Sequence, residues 1–276
     1  MEHRSRFVKL IGIFLGGALL TATAWSAFGA RPKFLSNTAT SNASTVIEYP
    51  MERNASGISV LETAQLMSEI ASLYQNEVLQ SGAFFAWDFD WEKPWLGAGS
   101  SLKESDEFAG QVRTFEIMLW GGFIRSDRMT LPALEFTLCH EFGHFLAGEP
   151  KQVFPSETAP HWSSAEGQSD WWAASVCLPK LYRERGLNPE EIETRTLAAG
   201  LDFARFAEFH FEKDSKSSLE AEAPETPAAT LTLAYPSVQC RLDSVRIGAA
   251  CARATDAASR EALCRRPRCW YVEAKR

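Results

Sequence analysis

Apolar residues recur at helical spacing in several stretches of this chain, and the pattern predicts amphipathic helices there. One stretch covers residues 58–81 and is bounded by Gly57 and Gly82. Another covers about residues 189–211 and follows Asn188, a favourable N-cap residue. We expect both helices to bury one face against the rest of the domain.

A third helix is predicted over about residues 131–147, and its ends are well marked. Thr130 is a good N-cap, Pro132 lies in the first turn, where proline is tolerated, and Gly148 suits the end of a helix. The apolar stripe of this helix consists of Leu134, Leu138, Phe142 and Phe145. The stripe lies away from two histidines on the same helix.

Two other segments alternate in a way that is typical of strands. Residues 83–100 carry aromatic side chains at odd-numbered positions, which favours a half-buried strand over an aromatic binding surface. Residues 114–120 also form a predicted strand, followed by Gly121 and Gly122. These glycines suit either a bulge or the passage of a substrate. Helices mixed with a small sheet define the α+β class.

Candidate chemistry lies on the third helix, in the sequence His140-Glu141-Phe142-Gly143-His144. His140 and His144 are four positions apart, so on a helix both imidazoles point the same way and can bind one metal ion. Glu141 is not needed as a ligand. It can take a proton from a water molecule and pass it to a leaving group. The pattern therefore predicts a catalytic zinc site with a single Zn²⁺.

A catalytic zinc site needs a third protein ligand and an open fourth position. Glu166 and Asp170 are four apart on a second predicted helix, which Ser163 or Ser164 can cap. We take Glu166 as the third ligand and Asp170 as the acceptor for the second ring nitrogen of His140. Asp170 itself and His161 remain alternative ligands.

The two segments, with HEFGH on one helix and EGQSD on the next, resemble the gluzincin branch of the zincin metallopeptidases. The sequence EGQSDWWAASVC is also similar to uncharacterised secreted bacterial proteins with an HExxH motif. The resemblance covers about residues 110–178. It implies a zincin-like domain in which His140, His144 and Glu166 bind zinc, Glu141 acts as general base and acid, and Asp170 supports a ligand. The metzincin branch would need a histidine where Pro150 stands.

The resemblance also implies a peptide or protein substrate that pairs with an edge strand before the HExxH helix, here residues 114–120. Four residues are candidates for stabilising the oxyanion: His210, Tyr235, Tyr182 and His161. Two other functions stay open. One is an envelope binding or assembly protein with a zincin fold and structural zinc. The other is a zinc amidase that acts on a non-peptide substrate.

The N-terminal residues predict export. A basic start, an apolar run and small residues make residues 1–30 a signal peptide, and we expect a periplasmic or secreted protein. The expected organisation beyond it is a flexible segment at 31–57, a catalytic domain at 58–212, a linker or insertion at 213–230 and a Cys-rich extension at 231–276. The net charge of −7 argues against nucleic acid as a partner and against membrane contact beyond the signal.

Six cysteines in an exported chain predict disulfides. Cys139 and Cys177 belong to the two helices of the site. If these helices are straight and antiparallel, Cys177 lies level with Ala133 rather than with Cys139. We therefore expect Cys177 to pair with one of the C-terminal cysteines, which are Cys240, Cys251, Cys264 and Cys269.

Overall fold

The computed structural model describes residues 47–105, 112–152, 161–225, 230–231 and 235–272. They all belong to one compact unit, Phe34–Arg276. The expected signal peptide (1–30) and most of the segment 31–57 lie outside the described residues. None of the helices in the described part of the chain combines the length and apolar character needed to cross a membrane.

The fold is α+β, and its main sheet is small and mixed. Strand β1 (Phe84–Asp90) is parallel to β3 (Val112–Trp120), and β2 (Ala98–Ser105) is antiparallel to β3 on the other side. The predicted strand at 114–120 is confirmed, whereas residues 83–100 form a strand only at 84–90 and again from residue 98, with a turn between. However, β3 is the central strand of the order β1-β3-β2, so the expectation that residues 114–120 form an edge was wrong. Both backbone edges of β3 are occupied by sheet partners.

The glycine pair after β3 begins the short helix α2 (Gly121–Ile124). A Cβ atom on Gly121 would overlap the backbone carbonyl of Trp91, and one on Gly122 would overlap the backbone of Pro94. The chain needs glycine here because two backbone segments approach closely. The suggestion that these glycines make room for a substrate was therefore wrong.

The three long predicted helices are present, with capping interactions at their starts. Helix α1 (Val60–Gln80) begins with a capping box between Ser59 and Glu62, two residues later than the predicted start at residue 58. Helix α3 (Leu131–Leu146) begins where the Thr130 hydroxyl accepts from the Ala133 amide. Helix α6 (Pro189–His210) starts with the predicted capping box of Asn188 and Glu191. Helix α3 is buried along almost its whole length.

The second helix of the site is interrupted. Helix α4 (Glu166–Trp172) continues through a π-helical turn (Ala173–Cys177) into α5 (Leu178–Glu184). Its N-cap is Ala165, which makes no side-chain cap, so the prediction that Ser163 or Ser164 caps this helix was wrong. Both serines instead bond to the end of α3, through Oγ of Ser163 to the His144 ring and Oγ of Ser164 to the Gly148 carbonyl.

Cys139 and Cys177 form a disulfide, with their Cα atoms 5.6 Å apart. The prediction that Cys177 pairs with a C-terminal cysteine was wrong. That prediction extrapolated regular α-helical rise and phase from Asp170 to Cys177, and the π-helical turn between them breaks this regularity. The bridge links α3 directly to the chain that follows α4.

The C-terminal segment contains β4 (Thr230–Leu231), α7 (Val238–Cys251), α8 (Ala257–Leu263), a 3₁₀ turn (Arg268–Trp270) and β5 (Tyr271–Val272), which pairs with β4. Its four cysteines pair among themselves, as Cys240–Cys269 and Cys251–Cys264. Helix α7 packs against α4, the π-helical turn and α6, so its central part lies inside the common core.

Candidate metal centre

Three side chains from two helices meet in the interior. His140 and His144 extend from α3, and Glu166 is the first residue of α4. The Nε2 atom of His140 lies 3.2 Å from one carboxylate oxygen of Glu166, and Nε2 of His144 lies 3.6 Å from the other. One ligand atom from each residue falls within 4.8 Å of the others, so the group could hold a metal ion.

The spacing of these atoms suits a small tetrahedral ion. Zinc with bonds of about 2.0–2.1 Å to nitrogen and oxygen holds neighbouring ligand atoms roughly 3.3 Å apart, close to the two separations given above. Nε2 of His140 and Oε2 of Glu166 lie 3.2 Å apart and are both buried, and neither makes a well-formed hydrogen bond in the described part of the chain. Buried polar atoms are rarely left unpaired, and a shared cation satisfies both.

The other ring nitrogen of each histidine is occupied. Nδ1 of His140 lies 2.7 Å from Oδ1 of Asp170. Nδ1 of His144 lies 2.9 Å from the carbonyl oxygen of Ser164, with the hydroxyls of Ser163 and Ser169 at 3.0 and 3.1 Å. An acceptor at Nδ1 favours a proton there, which leaves the lone pair of Nε2 directed at the other ligands.

Asp170 has a second partner that the sequence did not reveal. The guanidinium of Arg241, from helix α7, contacts both carboxylate oxygens, with Nε at 2.7 Å from Oδ2 and Nη2 at 2.8 Å from Oδ1. Asp170 is fully buried and Arg241 is 7% exposed. A single arginine in a helix of mixed composition gives no sequence signal for such a contact.

The charges shift the pKa values in the metal-free chain. Burial lowers the pKa of His140, but Asp170 and Glu166 outweigh it and raise the pKa to about 9. For His144 burial dominates and lowers the pKa to about 4. Burial acts to raise the pKa values of Glu166 and Asp170, but the histidines and Arg241 lower both. Both acids are therefore held as carboxylates.

Glu141 differs from the other acids of the site. It is fully buried, and burial raises its pKa to about 7, although His140 and the hydroxyl of Ser100 on β2 act in the opposite direction. Neither carboxylate oxygen makes a well-formed hydrogen bond among the residues that the structure describes, although the Ser100 hydroxyl is close enough to lower the pKa. Glu141 follows the ligand His140 directly in sequence, and the negative charge of Glu166 adds to the rise of its pKa.

The four candidates for stabilising the oxyanion lie in different surroundings. His210 bonds through Nε2 to the carbonyl of Asp127, and the Tyr182 hydroxyl donates to Glu135, so both belong to other networks. His161 packs against Trp162. Tyr235 is the candidate on which the charges of the site act: burial raises the pKa of its hydroxyl, and Glu166, Glu141 and Asp170 add to the rise.

Gln152 also contacts the site and was not recognised in the sequence. Its side-chain amide donates to Oε1 of Glu166 at 3.3 Å. The backbone of Gln152 pairs with that of Ser163, which brings the chain after α3 alongside the chain before α4. This pairing helps to place Glu166 opposite the histidines.

Comparisons of the chain with protein-family models, with curated proteins and with solved structures gave no match.

Proposed function

We propose that this protein is an exported zinc metallopeptidase with a zincin-like catalytic domain. His140, His144 and Glu166 hold one Zn²⁺ and leave a fourth position open. The observation that carries the proposal is the state of Glu141, a buried carboxyl group that is not one of the three ligands and makes no well-formed hydrogen bond within the described ranges, with only the Ser100 hydroxyl acting on it as a hydrogen-bonding group. A purely structural site has no use for such a group and usually adds a fourth protein ligand.

A bound zinc ion would supply Lewis acidity, which acidifies water and polarises the scissile carbonyl. Glu141 takes up the proton of the attacking water and delivers it to the leaving amine. In the metal-free chain burial raises the pKa of Glu141 to about 7, and a carboxyl group with a raised pKa is a stronger base toward the proton of water. Asp170 and the Ser164 carbonyl keep the histidines in the tautomer that binds metal.

Strand β2 supports a peptide as the substrate. It lies at an edge of the main sheet, and its residue Ser100 influences the Glu141 carboxyl group. An extended peptide can add to a sheet edge through backbone hydrogen bonds, which demand little of its sequence. In this proposal β2 takes the role that the sequence pattern assigned to residues 114–120.

Tyr235 is our candidate for the donor that stabilises the oxyanion. Its ring lies 5.9 Å from the guanidinium of Arg241, and the Glu166 and Glu141 charges act on its hydroxyl. Removal of one such donor typically lowers kcat by about 10²–10³-fold. Tyr235→Phe should therefore lose activity while zinc binding is kept.

The export assignment is supported by the disulfides. All six cysteines are paired, and such bridges form and persist in oxidising compartments. Periplasmic or secreted location follows from the same proposal.

The decisive experiment compares two glutamines on one helix. Glu141→Gln should retain zinc and lose hydrolysis of an unfolded protein by at least about 10²-fold. Glu135→Gln, also on α3 but at its other end, is the matched control and should hydrolyse normally when folded. Glu166→Ala should lose zinc itself.

The substrate panel separates the competing functions. Wild-type protein is tested on unfolded protein and on cell-wall fragments, with and without chelator. Cleavage of wall amides alone identifies a non-peptide amidase, and zinc binding with no hydrolysis of either substrate identifies a structural site. Proteolysis that survives in Glu141→Gln would refute the role of Glu141.

A further inference from the structure

We propose that Arg241 is a positioning residue for the metal centre, which acts through Asp170 to orient His140. The proposal rests on the metal site of the proposed function and adds the C-terminal helix to it. Arg241 does not reach the ligand atoms of the zinc site in this arrangement. Arg241 contacts the carboxylate of Asp170. Asp170 in turn contacts the His140 ring, which binds the ion in the proposed function.

The geometry of the relay is specific. Arg241 uses Nε and Nη2 on the two oxygens of Asp170, at 2.7 and 2.8 Å, and Asp170 uses Oδ1 on Nδ1 of His140 at 2.7 Å. A two-point contact with planar guanidinium fixes the plane of the carboxylate as well as its position. Nη2 also lies 3.4 Å from Nδ1 of His140, so the three groups are packed together.

Charge explains why an arginine is needed. Asp170 is completely buried, and a buried carboxylate without a cation is costly and tends to take up a proton. Arg241 supplies that cation through its two contacts with the carboxylate oxygens of Asp170. With Arg241 in place, Asp170 stays ionised and accepts from Nδ1 of His140, which raises the basicity of Nε2 toward a metal.

Arg241 is itself held from several sides. The neighbouring Cys240 is bridged to Cys269, and the Ser244 hydroxyl, one turn further along α7, accepts from the indole of Trp270 at 2.8 Å. The guanidinium lies over the Phe203 ring of α6 at 4.6 Å. These contacts place the guanidinium before any metal binds, which is the purpose of a positioning group.

Trp270 connects the same segment to the third ligand. Its indole ring lies against Gly167, where any Cβ would overlap it, and Gly167 follows Glu166 directly. The segment from α7 to the 3₁₀ turn therefore supports the site at two points. Through Arg241 it acts on His140, and through Trp270 it packs against the start of α4.

The test measures zinc affinity of the full-length protein by competition with a chelator, together with the thermal midpoint. The variants are Arg241→Met, Asp170→Asn and the double variant. Loss of an outer contact of this kind typically weakens metal binding by about 10–100-fold, and we expect each single variant to show it. The double variant should bind no more weakly than the weaker single variant, since both break one relay.

Two further variants control the result. Arg246→Met removes an arginine from the same helix whose partners are the exposed Glu222 and, at 3.9 Å, Asp243, neither of them at the metal site, and zinc affinity should stay within about twofold of wild type. Arg241→Lys keeps the charge but loses the two-point fork, so its affinity should lie between wild type and Arg241→Met. The lysine variant also provides a readout if Arg241→Met does not fold.

Several results would overturn the proposal. Unchanged zinc affinity with a lower thermal midpoint would make the Arg241–Asp170 pair purely structural. If the fold-losses in zinc affinity of the two single variants multiply in the double variant, Arg241 acts independently of Asp170. Wild-type protein that binds no zinc would refute this proposal and the proposed function together, whereas zinc binding without hydrolysis would refute the peptidase alone and leave the relay to be judged by the affinities.

Discussion

Helix α3 carries two buried glutamates, Glu135 near its start and Glu141 near its end, and their surroundings are opposite. Glu135 accepts a hydrogen bond from the Tyr182 hydroxyl at 2.6 Å and another from Arg185, also at 2.6 Å. Glu141 makes no well-formed hydrogen bond inside the described ranges, although it is the more deeply buried of the two. The two residues are on the same helix and of the same chemical type.

The two ends of the helix differ in what their glutamates bond to. Glu135 joins α3 to α5 and, through Arg185, to Glu69 on α1, so its hydrogen bonds hold helices together. The oxygens of Glu141 make no such bonds within the described ranges, and in the proposed function they are available to a water molecule. A folded protein keeps an unpaired buried carboxyl group only at a cost of about 1–3 kcal/mol or more, and such a cost is typical of functional sites.

Metal removal should give the largest effect on stability. Zinc that binds only the folded chain stabilises it by about 4 kcal/mol when free zinc is 1,000 times its dissociation constant. Thermal or denaturant unfolding with and without chelator measures the difference. The chelator should hardly change the stability of Glu166→Ala, whereas it should lower the stability of Glu135→Gln as much as that of wild type. A chelator effect of equal size in Glu166→Ala would place the ion elsewhere.

The second largest effect should be in the pH dependence of the stability of the metal-free chain, and it should distinguish the two glutamates. Burial raises the pKa of Glu141 from 4.5 to about 7. Since the folded state holds this proton more tightly than the unfolded state, Glu141 costs no stability below about pH 4.5 and costs progressively more up to about pH 7. The Glu141→Gln variant should therefore gain stability over wild type as the pH rises through this window, by at most about 3 kcal/mol.

Denaturant unfolding in chelator at the two ends of that window measures this gain. The comparison with Glu141→Gln is necessary because the two histidines of the site also titrate, with their pKa values displaced in opposite directions. A constant difference between wild type and variant across the window would contradict the assigned pKa of Glu141.

Glu135→Gln should have the smallest effect, and of the opposite sign. The glutamine can still accept one hydrogen bond, but Arg185 loses its charged partner, so the free energy of unfolding should fall by about 1–3 kcal/mol. Zinc affinity should be unchanged, because Glu135 lies near the start of α3 and bonds to Tyr182 and Arg185 rather than to the ligands. Weakened zinc binding in this variant would mean that both ends of α3 act as one network.

Local signals made much of this arrangement predictable. Thr130 and Asn188 cap α3 and α6 as expected, because capping depends on residues that are adjacent in sequence. The grouping of His140, His144 and Glu166 followed from helical spacing together with one return of the chain. The strand at 114–120 was also recognisable from its alternation, but its neighbours in the sheet were not.

What the sequence did not reveal depends on contacts between distant segments. Arg241 lies far from Asp170 along the chain, and nothing in its own helix marks it as buried. The Cys139–Cys177 bridge depended on a π-helical turn, which residue periodicity does not announce. The role of Gly121 and Gly122 likewise follows from the neighbouring backbone at Trp91 and Pro94 rather than from the glycines themselves.

The contact between Trp270 and Gly167 has a consequence for the order of biosynthesis. A nascent chain that has emerged through α4 already carries both imidazoles and the carboxylate, yet it still lacks the indole ring and the guanidinium that brace them. The complete set of contacts around the candidate metal centre can therefore form only after residue 270 has been synthesised.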